Sequence, residues 1–369
     1  MSEAAAAEHG AVLANRIMTA RETGDPRAVI VAELEYQSFG CEAIGSPLYG
    51  RLLQRAAEDA AAGGIAMTIL AERAVDPPFT ALALRLMAAV HRLVLSGQAP
   101  RLAAFYPSAG GTPGAGDADA FMDVLREHAG ALAEGVLRPC QTNEPARSAA
   151  LLGGFLSVAR DTGLPLRILE VGASAGLNLR WDHFRYEHEG ESWGPADSPV
   201  KLTGVYESPP PLNVPAMVVE RRGCDPRPQD PGREETRLNL VSSAWPDQVE
   251  RFHALEGALE VARRVPATVD EADGVTWVAT QLAEPRPGVA TVVYHSIVMQ
   301  YMGEAGRARF VEELAAAGQR ALAGAPLAWL SFEPGGDGRG HVNLTTWPGG
   351  EQRLVATAGY HGRPVRWLT

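Results

Sequence analysis

One stretch constrains this chain more than any other: Arg167-Ile-Leu-Glu-Val-Gly-Ala-Ser-Ala-Gly-Leu-Asn-Leu179. The apolar run from Ile168 to Val171 reads as a buried parallel strand, Gly172 to Gly176 as a tight turn, and Leu177 onward as the start of a helix. A strand, glycine turn, helix unit needs a sheet covered on both faces. Its turn lets the backbone approach a ligand closely and aims free N–H groups at it, because glycine adopts dihedrals closed to other residues. Asn178 then either lines that pocket or satisfies the first helical turn.

The rest of the chain divides around this unit. From about Ala11 to Gly110 apolar residues recur at three- and four-residue spacing, over Ala11 to Arg21, Ala28 to Phe39, Pro47 to Ala62 and Thr80 to Ser96, and one helix is expected from Ala118 to Leu137. From about residue 165 strands and helices alternate instead. Strands are expected at Lys201 to Tyr206, Ala216 to Glu220, Val289 to Ser296, Leu327 to Phe332, Val342 to Trp347 and Arg353 to Thr357. The expectation is a doubly wound, mostly parallel α/β sheet preceded by an all-helical N-terminal domain. The boundary is placed so that residues 1–148 form the helical domain, a possible lid, and residues 149–369 a Rossmann-like domain.

Composition narrows the partners. A formal net charge of −11 argues against a generic nucleic-acid surface, and no apolar run is long enough to span a bilayer. Cys41, Cys140 and Cys224 lie far apart, with no CxxC pair and no histidine cluster beside them. This fits a reduced cytoplasmic protein and gives no metal site. The start of the chain lacks the basic and apolar segments of a signal peptide. A small-molecule substrate is the expected partner, and the oligomeric state is left open.

Three further groups of residues carry candidate chemistry. Gln141-Thr-Asn-Glu144 with Arg147 crowds polar side chains before an apolar helix, Ala149 to Arg160, at the junction of the two halves, where binding sites often form. Helix capping and a Glu144–Arg147 pair account for part of this crowding. Asp225 stands just past a strand, where α/β nucleotide folds hold ribose hydroxyls. Tyr294, His295 and Ser296 stand at the end of another strand.

Leu169-Glu170-Val-Gly172 followed by Gly176 resembles the first motif of class I S-adenosylmethionine-dependent methyltransferases. The resemblance implies that Glu170 helps hold the amino-acid end of the cofactor, Asp225 the ribose, and Asp273 a place near the adenine, around a turn of Gly172, Ser174 and Gly176. Ser174 replaces the middle glycine often found in that family, and Tyr294-His-Ser296 stands where amino-group methyltransferases carry an Asp-Pro-Pro-Tyr type of signature. Methyl transfer demands positioning and, for a protonated acceptor, a base. His295 has the titration range for that base, with Tyr294 or Ser296 orienting it. Gln141, Asn143, Glu144, Arg147 and Ser296 are then candidate substrate contacts. More widely, these motifs together with Val292-Val-Tyr-His-Ser296 resemble a bacterial family known only as a domain of unknown function.

Two other readings fit the same letters. Gly172-Ala-Ser-Ala-Gly176 also spells the nucleophile elbow of α/β-hydrolases, with Ser174 as nucleophile and His341 or His361 following Asp273 and Asp337 in triad order. Alternatively, the glycines serve only the packing of helix on strand in a non-catalytic binding module.

Overall fold

The computed structural model describes residues 3–140 and 143–369. It divides into two compact units, Met1–Thr142 with Arg237–Phe252, and Asn143–Thr236 with His253–Thr369. The chain therefore leaves the second unit once, between two strands of its sheet, and returns to it.

The first unit is helical. Its helices Pro26–Ala43, Pro47–Ala61, Leu82–Leu95, Asp117–Glu127 and Ala129–Gly135 start where the chain supplies the right residues. Asp25 accepts the Arg27 amide ahead of Pro26 at the first helical position. At the next helix the cap comes from far away: Asp247 accepts the Ser46 hydroxyl at 2.5 Å and the Leu48 amide at 2.9 Å. Tyr49, Leu86, Val90, Tyr106, Phe121 and Trp245 fill the core. His91 is completely buried, with Nδ1 on the Ser242 carbonyl at 3.2 Å and Nε2 on the Ser108 hydroxyl at 2.7 Å. Burial lowers its pKa to about 4, so it stays neutral and joins residue 242 to the helical core. The helix expected over Ala118 to Leu137 is two helices, broken at His128, two residues before the low-propensity Gly130.

The second unit carries the strands β1 (Leu166–Val171), β2 (Arg185–His188), β3 (Glu191–Trp193), β4 (Lys201–Thr203), β5 (Tyr206–Ser208), β6 (Val218–Asp225), β7 (Thr268–Glu271), β8 (Ala290–Ser296), β9 (Leu327–Pro334), β10 (Gly340–Trp347), β11 (Glu351–Ala358) and β12 (Val365–Trp367). Nine of them form one sheet in the order β5-β12-β11-β10-β9-β8-β1-β6-β7, and β3-β2-β4 form a small second sheet. β7, β6, β1, β8 and β9 run parallel, while β10 folds back antiparallel to β9 and β11 antiparallel to β10. Numbered along the chain, the parallel strands stand in the order 3-2-1-4-5, which is the order of doubly wound Rossmann-like sheets. The direction of winding reverses between β1 and β8.

Strand alternation gives the sheet two covered faces. On one, Leu169, Val171, Cys224 and Val293 pack with Trp277, Phe310 and Leu314. On the other, helix Arg147–Thr162 lies against β8, β9 and β11, and Phe155 stacks on Trp181 at 4.4 Å and meets Tyr294 edge-on at 5.1 Å. Gly153 and Gly154 make this approach possible, since a Cβ on them would stand 2.3 Å from the Trp367 ring and 2.4 Å from Leu330.

Three local expectations change. The segment Lys201 to Tyr206 is two strands, split at Gly204 in a left-handed conformation, and its halves join different sheets. β7 was not expected at all, because Thr268-Val-Asp-Glu271 is a short polar edge strand without an apolar run. After the glycine turn the chain forms a 3-10 helix, Asn178–His183, rather than an α-helix. There Arg180 departs from helical dihedrals, Trp181 is buried and Asp182 is drawn into a two-pronged pair with Arg221 at 2.8 and 3.0 Å.

Gly153→Ala is expected to destabilise the protein by about 1–3 kcal/mol through overpacking against the rigid Trp367 ring. Gly306→Ala, in helix Gly303–Gly318 with only an ordinary 3.5 Å contact to Met302, is expected to stabilise it by up to about 1 kcal/mol. Urea denaturation of both variants checks the opposite signs.

Candidate functional site

The turn after β1 is a closed hydrogen-bonding unit. Gly172 and Ala173 both donate to the Cys224 carbonyl, at 2.9 and 3.0 Å, and Gly176 donates to Ala173 at 2.7 Å. The Ser174 amide donates to Asp225 Oδ2 at 2.9 Å, and the Ala175 amide to Asn143 Oδ1 at 3.4 Å. Every N–H from residue 172 to 176 thus has a protein acceptor, so the turn offers no free amides to an anion. That corrects the expectation of a cradle of exposed N–H groups. The backbone is nevertheless special: Gly172, Ser174 and Gly176 all have positive φ, and a Cβ on Gly172 would stand 2.5 Å from Val298. Arg180, buried, holds the exit of the turn through the Gly176 carbonyl at 2.5 Å.

At the mouth of the sheet Glu170 and Tyr294 are register partners on β1 and β8, where the winding reverses. Tyr294 donates its hydroxyl to Glu170 Oε2 at 3.2 Å, and both side chains are buried. Burial raises the Glu170 carboxyl to about pH 8, and the opposing pull of the Tyr294 hydrogen bond and of Arg180 does not restore it. Near neutral pH the pair is a carboxylic acid and a phenol.

The segment 143–147 closes over this region. The Asn143 amide spans the turn, donating to Ser174 Oγ at 3.0 Å while accepting from Ala175. Asn178 donates to the Glu144 carbonyl at 3.3 Å, and its own Oδ1 is buried without a hydrogen-bond partner among the described residues. Glu144 is buried, accepts the Ala146 amide, and stands 3.7 Å from His361 Nδ1. Arg147 reaches the Tyr360 and Ser296 carbonyls at 3.0 and 3.3 Å. The close approach of the C-terminal loop depends on Gly362, where a Cβ would stand 2.2 Å from the Ala146 carbonyl oxygen.

Asn143, Glu144, Arg147, Glu170, Ser174, Asn178, Asp225 and Tyr294 therefore gather around one strand end, with Ser296 joining through its carbonyl. Gln141 lies outside the described residues. Asp225 receives both the Ser174 and Arg227 amides, one on each oxygen. Asp273 is elsewhere in role: it caps helix Gly274–Gln281, accepting from Val275, Thr276 and the Thr276 hydroxyl on one oxygen.

His295 occupies the opposite face of the sheet from Tyr294, fully buried and edge-on to Phe310. Its Nε2 accepts the Trp329 indole N–H at 3.0 Å, which leaves Nδ1 as the donor to Glu333 Oε1 at 2.7 Å. Both nitrogens are engaged, so the ring is placed as a positioning group rather than as a base open to substrate. Glu333 also takes the Val298 amide at 2.8 Å and that of Met299 at 3.3 Å. This carboxylate holds the β8 exit loop, whose Ile297 has the left-handed φ of +56, a costly conformation for a β-branched residue. Sequence reasoning missed Glu333 because only the lone Glu-Pro-Gly-Gly at a strand end marks it.

The partners needed for a Ser174 triad are engaged elsewhere. Asp273 caps its helix, Asp337 pairs with His341 at 3.0 Å, and His361 faces Glu144.

The fold and this strand-end cluster define a Rossmann-like α/β protein with a polar site at the reversal of its sheet. The chain belongs to the family described as uncharacterized protein conserved in bacteria (DUF2332), whose model matches residues 31–367. No curated protein and no solved structure matches it. Among the described residues, no helix is long and apolar enough to cross a membrane.

A raised carboxyl pKa weakens the fold as pH rises, because between the unfolded value near 4.5 and the folded value near 8 the unfolded chain gives up a proton that the folded chain keeps. Glu170→Gln removes this effect. The wild type is expected to lose stability relative to the variant from about pH 5 to pH 8, by at most about 1.4 kcal/mol per pH unit for one proton. Paired urea denaturation series across that range measure it.

Proposed function

We propose that this protein binds S-adenosylmethionine and is a methyltransferase-like enzyme for a small-molecule acceptor. The observation that carries the reading is the position of Glu170: it closes β1 at the reversal of a 3-2-1-4-5 parallel sheet, with Asp225 closing the adjacent β6. Ligands of open α/β sheets lie outside the strand ends at such a reversal.

The residues fit this cofactor better than a phosphate-bearing one. The closed turn provides no amide cradle for phosphate, whereas the buried Asn178 Oδ1, without a hydrogen-bond partner among the described residues, is an acceptor for an ammonium group, whose charge would in turn favour the ionised form of the Glu170 carboxyl. Asp225 keeps spare lone pairs on both oxygens for hydroxyl donors after taking two amides. When bound, S-adenosylmethionine supplies an electrophilic methyl group.

The chain's own part is then positioning. Asn143 and Asp225 hold the turn, Arg147 holds the end of β8 through the Ser296 carbonyl, and the His295–Glu333 pair holds the loop beyond it. Tyr294 keeps the Glu170 carboxyl in place, and a group titrating near pH 8 is suited to exchange a proton close to neutrality. The acceptor's proton is not assigned to His295, whose ring is buried on the other face.

Calorimetric titration with S-adenosylmethionine and S-adenosylhomocysteine is expected to give micromolar binding. It should be abolished by Gly172→Arg, which fills the turn against Val298, and weakened about tenfold by Asp225→Ala in protein that remains folded by circular dichroism. Absence of binding together with fluorophosphonate labelling of Ser174 would establish the hydrolase reading in its place. Absence of both would leave a non-catalytic binding module.

A further inference from the structure

Glu170 is a buried carboxyl to which the protein brings no cation. It keeps 4% exposure and accepts one hydrogen bond, from the neutral phenol of Tyr294, on Oε2. Oε1 accepts none among the described residues, and it is not sealed from solvent. No arginine, lysine or histidine forms an ion pair with the carboxyl among the described residues.

The charged groups that face it come from several elements, and none is directed at it. Arg180, on the 3-10 helix, favours the ionised acid, but each of its three nitrogens donates to a carbonyl: Nη1 to Gly176 at 2.5 Å, Nε to Val265 at 2.7 Å and Nη2 to Ala262 at 3.5 Å. Arg147, opening the helix that covers the pair, has a smaller effect and directs Nε and Nη1 to the Tyr360 and Ser296 carbonyls. Asp225, closing β6, opposes ionisation. Beyond Tyr294 the Arg221–Asp182 pair acts with charges of opposite sign. Burial outweighs these attractions, so the carboxyl is a neutral acid.

A buried carboxyl stays neutral only while nothing brings a positive charge to it. With the phenol donating to Oε2, the acid proton sits on Oε1, the oxygen that a ligand can reach. An ammonium group arriving there favours the anion. Asn178 Oδ1, buried without a hydrogen-bond partner among the described residues, is a second acceptor in the same cluster. The carboxyl O–H bond then breaks, its proton leaves to water, and an ammonium N–H becomes the donor to Oε1.

We propose, resting on the S-adenosylmethionine reading above, that this site exchanges a proton for the ammonium group of its ligand, so that binding releases the Glu170 proton and tightens as pH rises. The competing explanation is that Glu170 and Tyr294 form a neutral tie between β1 and β8 that a ligand leaves untouched. Such a tie releases no proton on binding.

The experiment is calorimetric titration of the full chain with S-adenosylmethionine from about pH 6 to about pH 9, repeated in buffers of different ionisation enthalpy at equal ionic strength. Near neutral pH the wild type is expected to release about one proton more per ligand than Glu170→Gln. It is expected to bind up to about tenfold more tightly per pH unit, with the gain levelling off near pH 8. S-adenosylhomocysteine, which keeps the ammonium group without the sulfonium charge, is expected to release the same proton. The neutral 5′-methylthioadenosine, which lacks the ammonium group, is expected to release none, and this comparison holds in the wild type even if the variant does not fold. Equal proton release by the wild type and Glu170→Gln, release with 5′-methylthioadenosine, or a wild-type affinity flat with pH would overturn the proposal and leave S-adenosylmethionine binding standing. Absence of S-adenosylmethionine binding at every pH would overturn both.

Discussion

A carboxyl group at the buried end of a parallel strand must either be neutralised or find partners, and this choice at Glu170 shapes the α/β unit. Burial favours the protonated acid, and the Tyr294 hydroxyl from the next strand occupies one of its oxygens. An apolar residue would pack there at lower cost. A polar pair at the point where the sheet changes direction therefore costs stability, and the surrounding residues are arranged to keep it in place. Helix Arg147–Thr162 covers it, and the 143–147 segment and C-terminal loop converge above it.

The glycine turn beside this pair illustrates how similar spelling can hide different chemistry. A turn of Gly-X-Ser-X-Gly serves phosphate cradles, nucleophile elbows and methyl-donor sites alike. What separates them is the fate of the amides and of the serine. Here Cys224, Asp225 and Asn143 take the amides, and Asn143 also donates to the Ser174 hydroxyl. These acceptors come from one adjoining strand and one segment upstream, so no local motif announces them.

Legibility follows the same line. The strands β1, β8 and β9 were readable because both faces are covered and their sequences are mostly apolar. β7 was not, since an edge strand of Thr268-Val-Asp-Glu271 carries no such signal. Glu170 and Asp225 were identifiable from their places relative to strand ends. Asp273 was identified by order along the chain alone, and its carboxylate turned out to cap a helix, a role that any Asp before a helix can take. His295 shows the limit most clearly. Tyr294 and His295 are adjacent in sequence, but strand alternation sends them to opposite faces, and only one of the two belongs with Glu170. Glu333, which holds the β8 exit loop, lies 38 residues from His295 and depends on the pairing of β8 with β9.

The detour between β6 and β7 has a consequence for how the molecule is made. The helical unit incorporates residues 237–252, with Trp245 in its core and Asp247 capping a helix 201 residues earlier in the chain. A ribosome that has finished the first 142 residues has not yet delivered these pieces. During synthesis the helical unit waits, incomplete, while most of β1 to β6 emerges, so the two units mature together rather than one after the other. A single cut after residue 142 would leave the helical unit without its distant cap and the other unit carrying, between β6 and β7, a segment whose core partners are gone.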